Sequence, residues 1–204
     1  MGIDPLSLGI TIALNVASAA LQASRHIEGP RLTDLSATVA DYGTPIATAL
    51  GLVRLELPAF FLEPIKERKH KRKTKGGKYN EYTYFGTGGY VVADHELSQY
   101  RRLWLDRHLV YDAVGGADLF AVNDNYELTH YVRFYYGTAD QDVDPRMQAF
   151  IEAQDGPDSC PAFLRVAYVF FEDLPLEKIG NRYPQVSAEI IGLTKPMIAE
   201  LLAA

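Results

Sequence analysis

Among its 204 residues the chain has one cysteine, Cys160, and one tryptophan, Trp104. A single thiol closes no intrachain disulfide, and a thiolate metal cluster would need ligands from a second chain, so a packed core must hold the fold. Positive charge is short overall: 20 Lys and Arg stand against 26 Asp and Glu, a net charge of −6. That balance excludes a protein whose whole surface grips nucleic acid and confines any basic function to a local patch.

The patterns of reactive centres are missing as well. The sequence contains no G-x-S-x-G elbow, and its five histidines form no H-E-x-x-H pair. Gly86-Thr87-Gly88-Gly89 lacks the GK[ST] ending of a phosphate loop and reads as a bulge or a close backbone contact within a strand. Asp94-His95-Glu96 offers ligand atoms, but consecutive residues of a strand point to opposite faces and cannot converge on one ion. Asp140, Asp142 and Asp144 alternate like the opening of a calcium loop, yet Pro145 stands where that loop needs glycine and Ile151 where it needs glutamate. Cys160, between Ser159 and Pro161, has no basic neighbour to activate it. No cofactor, metal or small-molecule substrate is expected.

Two segments stand out in what is present. Lys66 to Lys78, KERKHKRKTKGGK, holds eight Lys/Arg and one Glu, a sum of +7 that leaves −13 for the other residues. No apolar position interrupts it and Gly76-Gly77 closes it, so it reads as an extended, water-exposed loop. It is either a solvated tip or a finger, carried by Lys69, Lys71, Arg72, Lys73 and Lys75, for phosphates or a neighbour's acidic face. Leu6 to Ala23 is uncharged, with Ser7, Thr11, Asn15, Ser18 and Gln22 forming a polar stripe on a helix. Such a helix is amphipathic, not membrane-spanning, and Asp4 without a Lys or Arg ahead of it argues against a secretory signal. Leu8, Ile12 and Val16 on its apolar side are candidate contacts with a partner subunit.

After Gly29-Pro30 short Val-, Tyr-, Phe- and Thr-rich runs alternate with turn residues, predicting a mainly β body. Strands are expected at about 46–57, 80–93, 101–105, 108–112, 128–136, 163–171 and 185–191. The second pair of these flanks Asp106-Arg107 as a hairpin, with Trp104 on its buried face and a turn that glycine would suit better than Arg107. Asp144 as cap, Pro145 at the first helical position and an apolar stripe of Met147, Phe150 and Ile151 predict a helix ending at Gly156-Pro157. A short final helix is expected from about Pro196.

Ordered phrases across residues 29 to 191 resemble the N-terminal hub domain of phage tail-tip proteins, the group that includes gene-transfer-agent tail hubs and siphophage central tail proteins. They are Gly29-Pro30-Arg31-Leu32-Thr33-Asp34-Leu35, Asp41-Tyr42-Gly43-Thr44-Pro45-Ile46, Arg102-Leu103-Trp104-Leu105-Asp106, Tyr136-Gly137-Thr138-Ala139-Asp140-Gln141 with Asp144-Pro145, Ala167 to Pro175, and Gly180-Asn181-Arg182-Tyr183-Pro184-Gln185. Arg107 departs from the glycine usual in that family. The resemblance implies an α+β, mainly β fold: a tail-tube-like β-sandwich or barrel hub domain over 29–204, with the basic loop 66–78 inserted, behind an assembly segment over 1–28 and with one or two packed helices. It further implies a non-enzymatic virion protein of the tail tip or baseplate, assembled in the host cytoplasm. There it would be a homotrimer that meets the distal tail or tail-tube protein, the tape-measure protein and other tip proteins, helping to close or gate the tube. The competing readings are a tail-associated cell-wall hydrolase using His95, Glu96 or His130, and a DNA-contacting module using residues 66–78.

Overall fold

The computed structural model describes residues 27–28, 45–74, 77–115, 128–194 and 198. Leu8, Ile12, Val16 and the rest of the N-terminal helix lie outside the described residues, as does Lys75. Of the final helix only Ile198 is described; its amide donates to the Thr194 carbonyl at 3.0 Å. The chain divides into two compact units: Met1–Thr33 with Glu67–Thr83, and Asp34–Lys66 with Tyr84–Ala204.

In the first unit, β1 (Ile27–Glu28) runs parallel to β5 (Gly77–Ala93), with Ile27 opposite Tyr79 and Glu28 opposite Asn80. β4 (Lys66–Thr74) also pairs with β5. The expected basic loop is therefore corrected to a strand. Its charges alternate between two faces, and an exposed edge position lets both faces reach water, so no buried apolar row is needed to form it.

The second unit has two sheets. In one, β5 pairs antiparallel with β9 (Ala167–Pro175) and with β3 (Ala59–Leu62), and β9 pairs antiparallel with β8 (Val132–Tyr136). The other has the order β2 (Leu52–Leu57), β10 (Val186–Ile191), β6 (Gln99–Leu105), β7 (His108–Asp112), antiparallel throughout. The fold is thus α+β and mainly β. β9 is buried on both faces: Tyr168 and Phe170 lie under the helix α1 (Pro145–Asp155) with Met147, while Tyr100 of the second sheet donates its hydroxyl to the Tyr168 and Tyr135 carbonyls at 3.2 and 2.9 Å. Rings of Tyr100 and Tyr111 sit 4.8 Å from that of Phe134, closing the gap between the sheets.

The helix forms as its sequence predicts. The Asp144 carboxylate accepts from the Arg146 and Met147 amides, Pro145 opens the first turn, and the chain leaves at Gly156 with φ of 100°. Met147 is fully buried, and Phe150 lays an edge on Phe61 with ring centres 5.5 Å apart.

The glycines of β5 belong to packing, not to a phosphate cradle. A Cβ on Gly89 would lie 2.8 Å from the Phe60 ring and one on Gly88 2.6 Å from Leu62, and the pairing with β9 shifts register between Gly86 and Gly88.

Strand boundaries moved where the backbone left the extended region. The strand expected from 46 starts at Leu52, after Gly51 at φ 67°. The one expected from 128 starts at Val132, after a helical turn. The one expected over 163–171 runs Ala167–Pro175, because Phe163 and Arg165 take φ of 50° and 60°. Trp104 is also corrected: Leu103 and Leu105 are fully buried, so Trp104 lies on the opposite face, half-buried beneath the Arg54 guanidinium 3.8 Å from its ring.

Candidate interaction site

Two strand edges carry the unusual surface chemistry. The first is β4. Residues 67 to 73 are all exposed, and neighbouring side chains take opposite faces. On one face Arg72 Nε donates to Glu81 at 2.8 Å, and a ring nitrogen of His70 lies 3.0 Å from the Thr83 hydroxyl. The sums of these paired positions agree, which fixes β4 and β5 as an antiparallel ribbon. The Glu81 carboxylate holds Arg72 above its ordinary pKa. On the other face stand Lys69, Lys71 and Lys73, with the Lys69 ammonium 5.7 Å over the Tyr82 ring. Of the residues the sequence singles out, the structure therefore brings these three lysines together and sets Arg72 apart from them.

The second edge is β2. Its burial alternates, with Leu52, Arg54 and Glu56 outward and Leu57 buried. At its start and in the segment ahead of it the exposed residues are apolar: Ile46, Leu50 and Leu52 are 40%, 63% and 60% exposed. No described strand pairs with the outer side of β2. Sequence reading missed this edge because Leu52 looks like the buried side of a strand; the signal lay in Arg54 and Glu56, which share its phase.

The second unit also holds a charged network that the sequence did not announce. Asp144, fully buried, accepts from Arg133 Nε at 2.7 Å, from Arg133 Nη2 at 3.0 Å and from the Tyr135 hydroxyl at 2.8 Å, in addition to its two helix amides. Arg133 reaches on to Glu172, and Arg146 Nε donates to the buried Glu63 at 2.7 Å. Every buried charge here has an opposite partner, which is what a low-dielectric site demands. The network clamps α1 to β8 and to the segment after β3.

The residues considered for hydrolysis are scattered. His95 Nδ1 lies 3.0 Å from Asp94 in a half-buried turn, Glu96 points to solvent, and His130 is exposed beyond the turn that precedes β8. Among the described residues, no group of three or more His, Cys, Asp and Glu converges. Burial, then the nearby Glu152 and Asp144 carboxylates, push the Cys160 thiol up. A cavity of about 230 Å³ is lined by Glu56, Leu57, Pro58, Tyr90 and Pro184 to Val186.

No protein-family model matches the chain, and no curated protein matches it. Among solved structures it is similar to a chain of the virion of a native gene transfer agent particle, at 22% sequence identity and a TM-score of 0.48. The alignment covers 94% of this chain and 39% of that one, so the sequence spans about two fifths of the chain it resembles.

Proposed function

We propose that the protein is a structural component of a phage-like tail tip or baseplate, a hub that joins the tail tube to the host-facing tip. The observation that carries this reading is the outer side of β2, which no strand among the described residues pairs with and where Leu52 and the preceding Leu50 are exposed. Natural proteins guard such edges with charge or cover them, because bare backbone and apolar side chains recruit further chains. Arg54 and Glu56 guard the rest of this edge, and its apolar start is the stretch we read as a joint.

The phrases shared with tail hubs narrow the joint to that setting, and in this fold they are the pieces that set the frame. Gly137 takes φ of 80° with no room for a Cβ beside the His95 carbonyl, and Gln141 receives its amide at 2.8 Å. Asp144 caps α1, Ala167 to Pro175 is the central strand, and Arg182 and the Gln185 amide hold Asp106 at 3.0 and 2.9 Å. In the proposed particle the chain forms a homotrimer. A three-fold ring is heterologous, so β2 meets a different patch of the next subunit, not another β2. The distal tail or tube protein, the tape-measure protein and other tip proteins are the further partners, and the role is non-enzymatic.

Native mass spectrometry and electron microscopy of the purified chain, alone and with the products of neighbouring genes, test the reading. Rings or stable trimers are the expected result; a chain that stays monomeric in every combination overturns it.

A further inference from the structure

We infer that the face of β4 bearing Lys69, Lys71 and Lys73 is a docking row for the phosphodiester backbone of DNA, bound without sequence preference. The inference goes beyond the hub reading and stands on residues of the first unit alone, so failure to form rings would leave it untouched.

Strand geometry supplies the first argument. Side chains two residues apart on one face are about 6.7 Å apart, so three alternate lysines make a straight file of charges at a spacing suited to successive phosphates. Sorting supplies the second. Arg72 on the other face is already neutralised by Glu81, whereas no acidic partner appears for Lys71 and Lys73 among the described residues, and Lys69 leans over Tyr82. Glu67 shares the lysine face, so residues 67 to 73 sum to +2 there, three lysines less one glutamate, while on the other face Arg68 and Arg72 set against Glu81 leave +1.

The third argument is what the row lacks. From Lys66 to Thr74 no apolar side chain occurs. Protein interfaces are depleted in lysine and rely on buried apolar or aromatic anchors, and the Tyr82 ring on this face already lies under Lys69, so the row offers an acidic protein segment chiefly charge. A polyanion needs only the charge. Lysine is a point charge, without the planar fork that reads base edges, and contacts of this kind position nucleic acid but carry no sequence information. Lysines on an edge strand also discourage edge-to-edge pairing, but that guard works from either face and predicts no difference between them.

The test removes equal charge from the two faces. Binding of the whole chain to a short mixed-sequence DNA duplex is measured across a salt series for the wild type, for Lys71→Gln with Lys73→Gln, and for Arg68→Gln with Arg72→Gln. Each lost phosphate contact lowers the log–log salt slope by about 0.9, so the lysine pair should flatten it by about 1.8 and the arginine pair by less than half of that. A scrambled duplex should bind equally well, and Lys71→Arg with Lys73→Arg should restore the slope, separating charge from folding. Equal loss from both faces, no duplex binding at low salt, or a polyglutamate peptide binding as tightly as the duplex would each overturn the inference.

Discussion

Asp144 is the residue on which most depends. One carboxylate caps α1 and neutralises the Arg133 guanidinium, and it does so with no exposure to solvent. Losing a cap costs about 1 kcal/mol, and stranding the partner of a buried ion pair costs about 3–5 kcal/mol. Arg133 is 37% exposed and recovers some hydration, so Asp144→Ala should lower the unfolding free energy by about 3 kcal/mol in urea titration. Asp144→Asn, which keeps one acceptor oxygen for the helix amides, should lose less.

Asp173 offers a second residue-scale prediction. A hydrogen bond from Lys66 at 2.6 Å holds its carboxyl below the ordinary value, with burial opposing. A depressed carboxyl stabilises the fold above its unfolded pKa, about 3.9, and that contribution disappears as pH falls through the lower folded value. Lys66→Met should therefore flatten the acid limb of the stability curve below about pH 4, leaving the slope above pH 5 unchanged. Both side chains are more than a third exposed, at 37% and 35%, so the effect is under about 1 kcal/mol, read as a small shift of the urea midpoint.

At the scale of elements, the β6–β7 hairpin shows how a turn can satisfy its geometry with an unexpected residue. Leu105 pairs with His108, as the Asp106-Arg107 turn requires. The positive φ, 53°, falls on Asp106, and Arg107 stays outside that region. Aspartate tolerates the left-handed conformation, and here Arg182 and Gln185 reward it. Arg107→Gly should accordingly destabilise by about 0.5–1 kcal/mol, because it adds freedom to the unfolded chain and relieves no strain. Thermal unfolding of the variant checks the sign.

Elements differ in how plainly the sequence declared them. Strands β6, β7 and β10 and the helix α1 were legible, because alternation or capping acts within a few residues. β3 was not, since Ala59 to Leu62 is too short and too uniformly apolar to show a period. β4 was hidden for the opposite reason: its charges carry no apolar phase, and only pairing with β5 makes Lys66 to Thr74 extended. The lysines of the candidate site were thus visible as residue types, while their sorting from Arg72 depended on a strand that long-range pairing creates. The buried ion pairs joining Glu63 to Arg146 and Arg133 to Asp144 bridge separated segments and left no local trace.

The molecule as a whole combines an interior whose buried carboxylates Glu63 and Asp144 are paired with arginines and two exposed surfaces of contrasting chemistry. The apolar start of β2 and the basic file on β4 differ in chemistry, one suited to excluding water and one to meeting opposite charge. If the first is a joint between subunits, Leu50→Lys with Leu52→Lys should shift the chain from assembled to monomeric species in sedimentation, with little change in the melting temperature of the monomer. Both positions are already more than half exposed, at 63% and 60%, so a lysine there disturbs no core.

The lone tryptophan gives a use for one detail of this edge. Trp104 lies beneath Arg54, whose guanidinium also donates to Ser187 at 3.0 Å, and Arg54 sits on the same outward row as Leu52. A chain that docks against this face of the sheet and moves that cation would change indole emission, which responds to a charge so close to its ring. The fluorophore is unique in the sequence, so its signal needs no deconvolution. Intrinsic fluorescence against concentration would then count subunits coming together without a label.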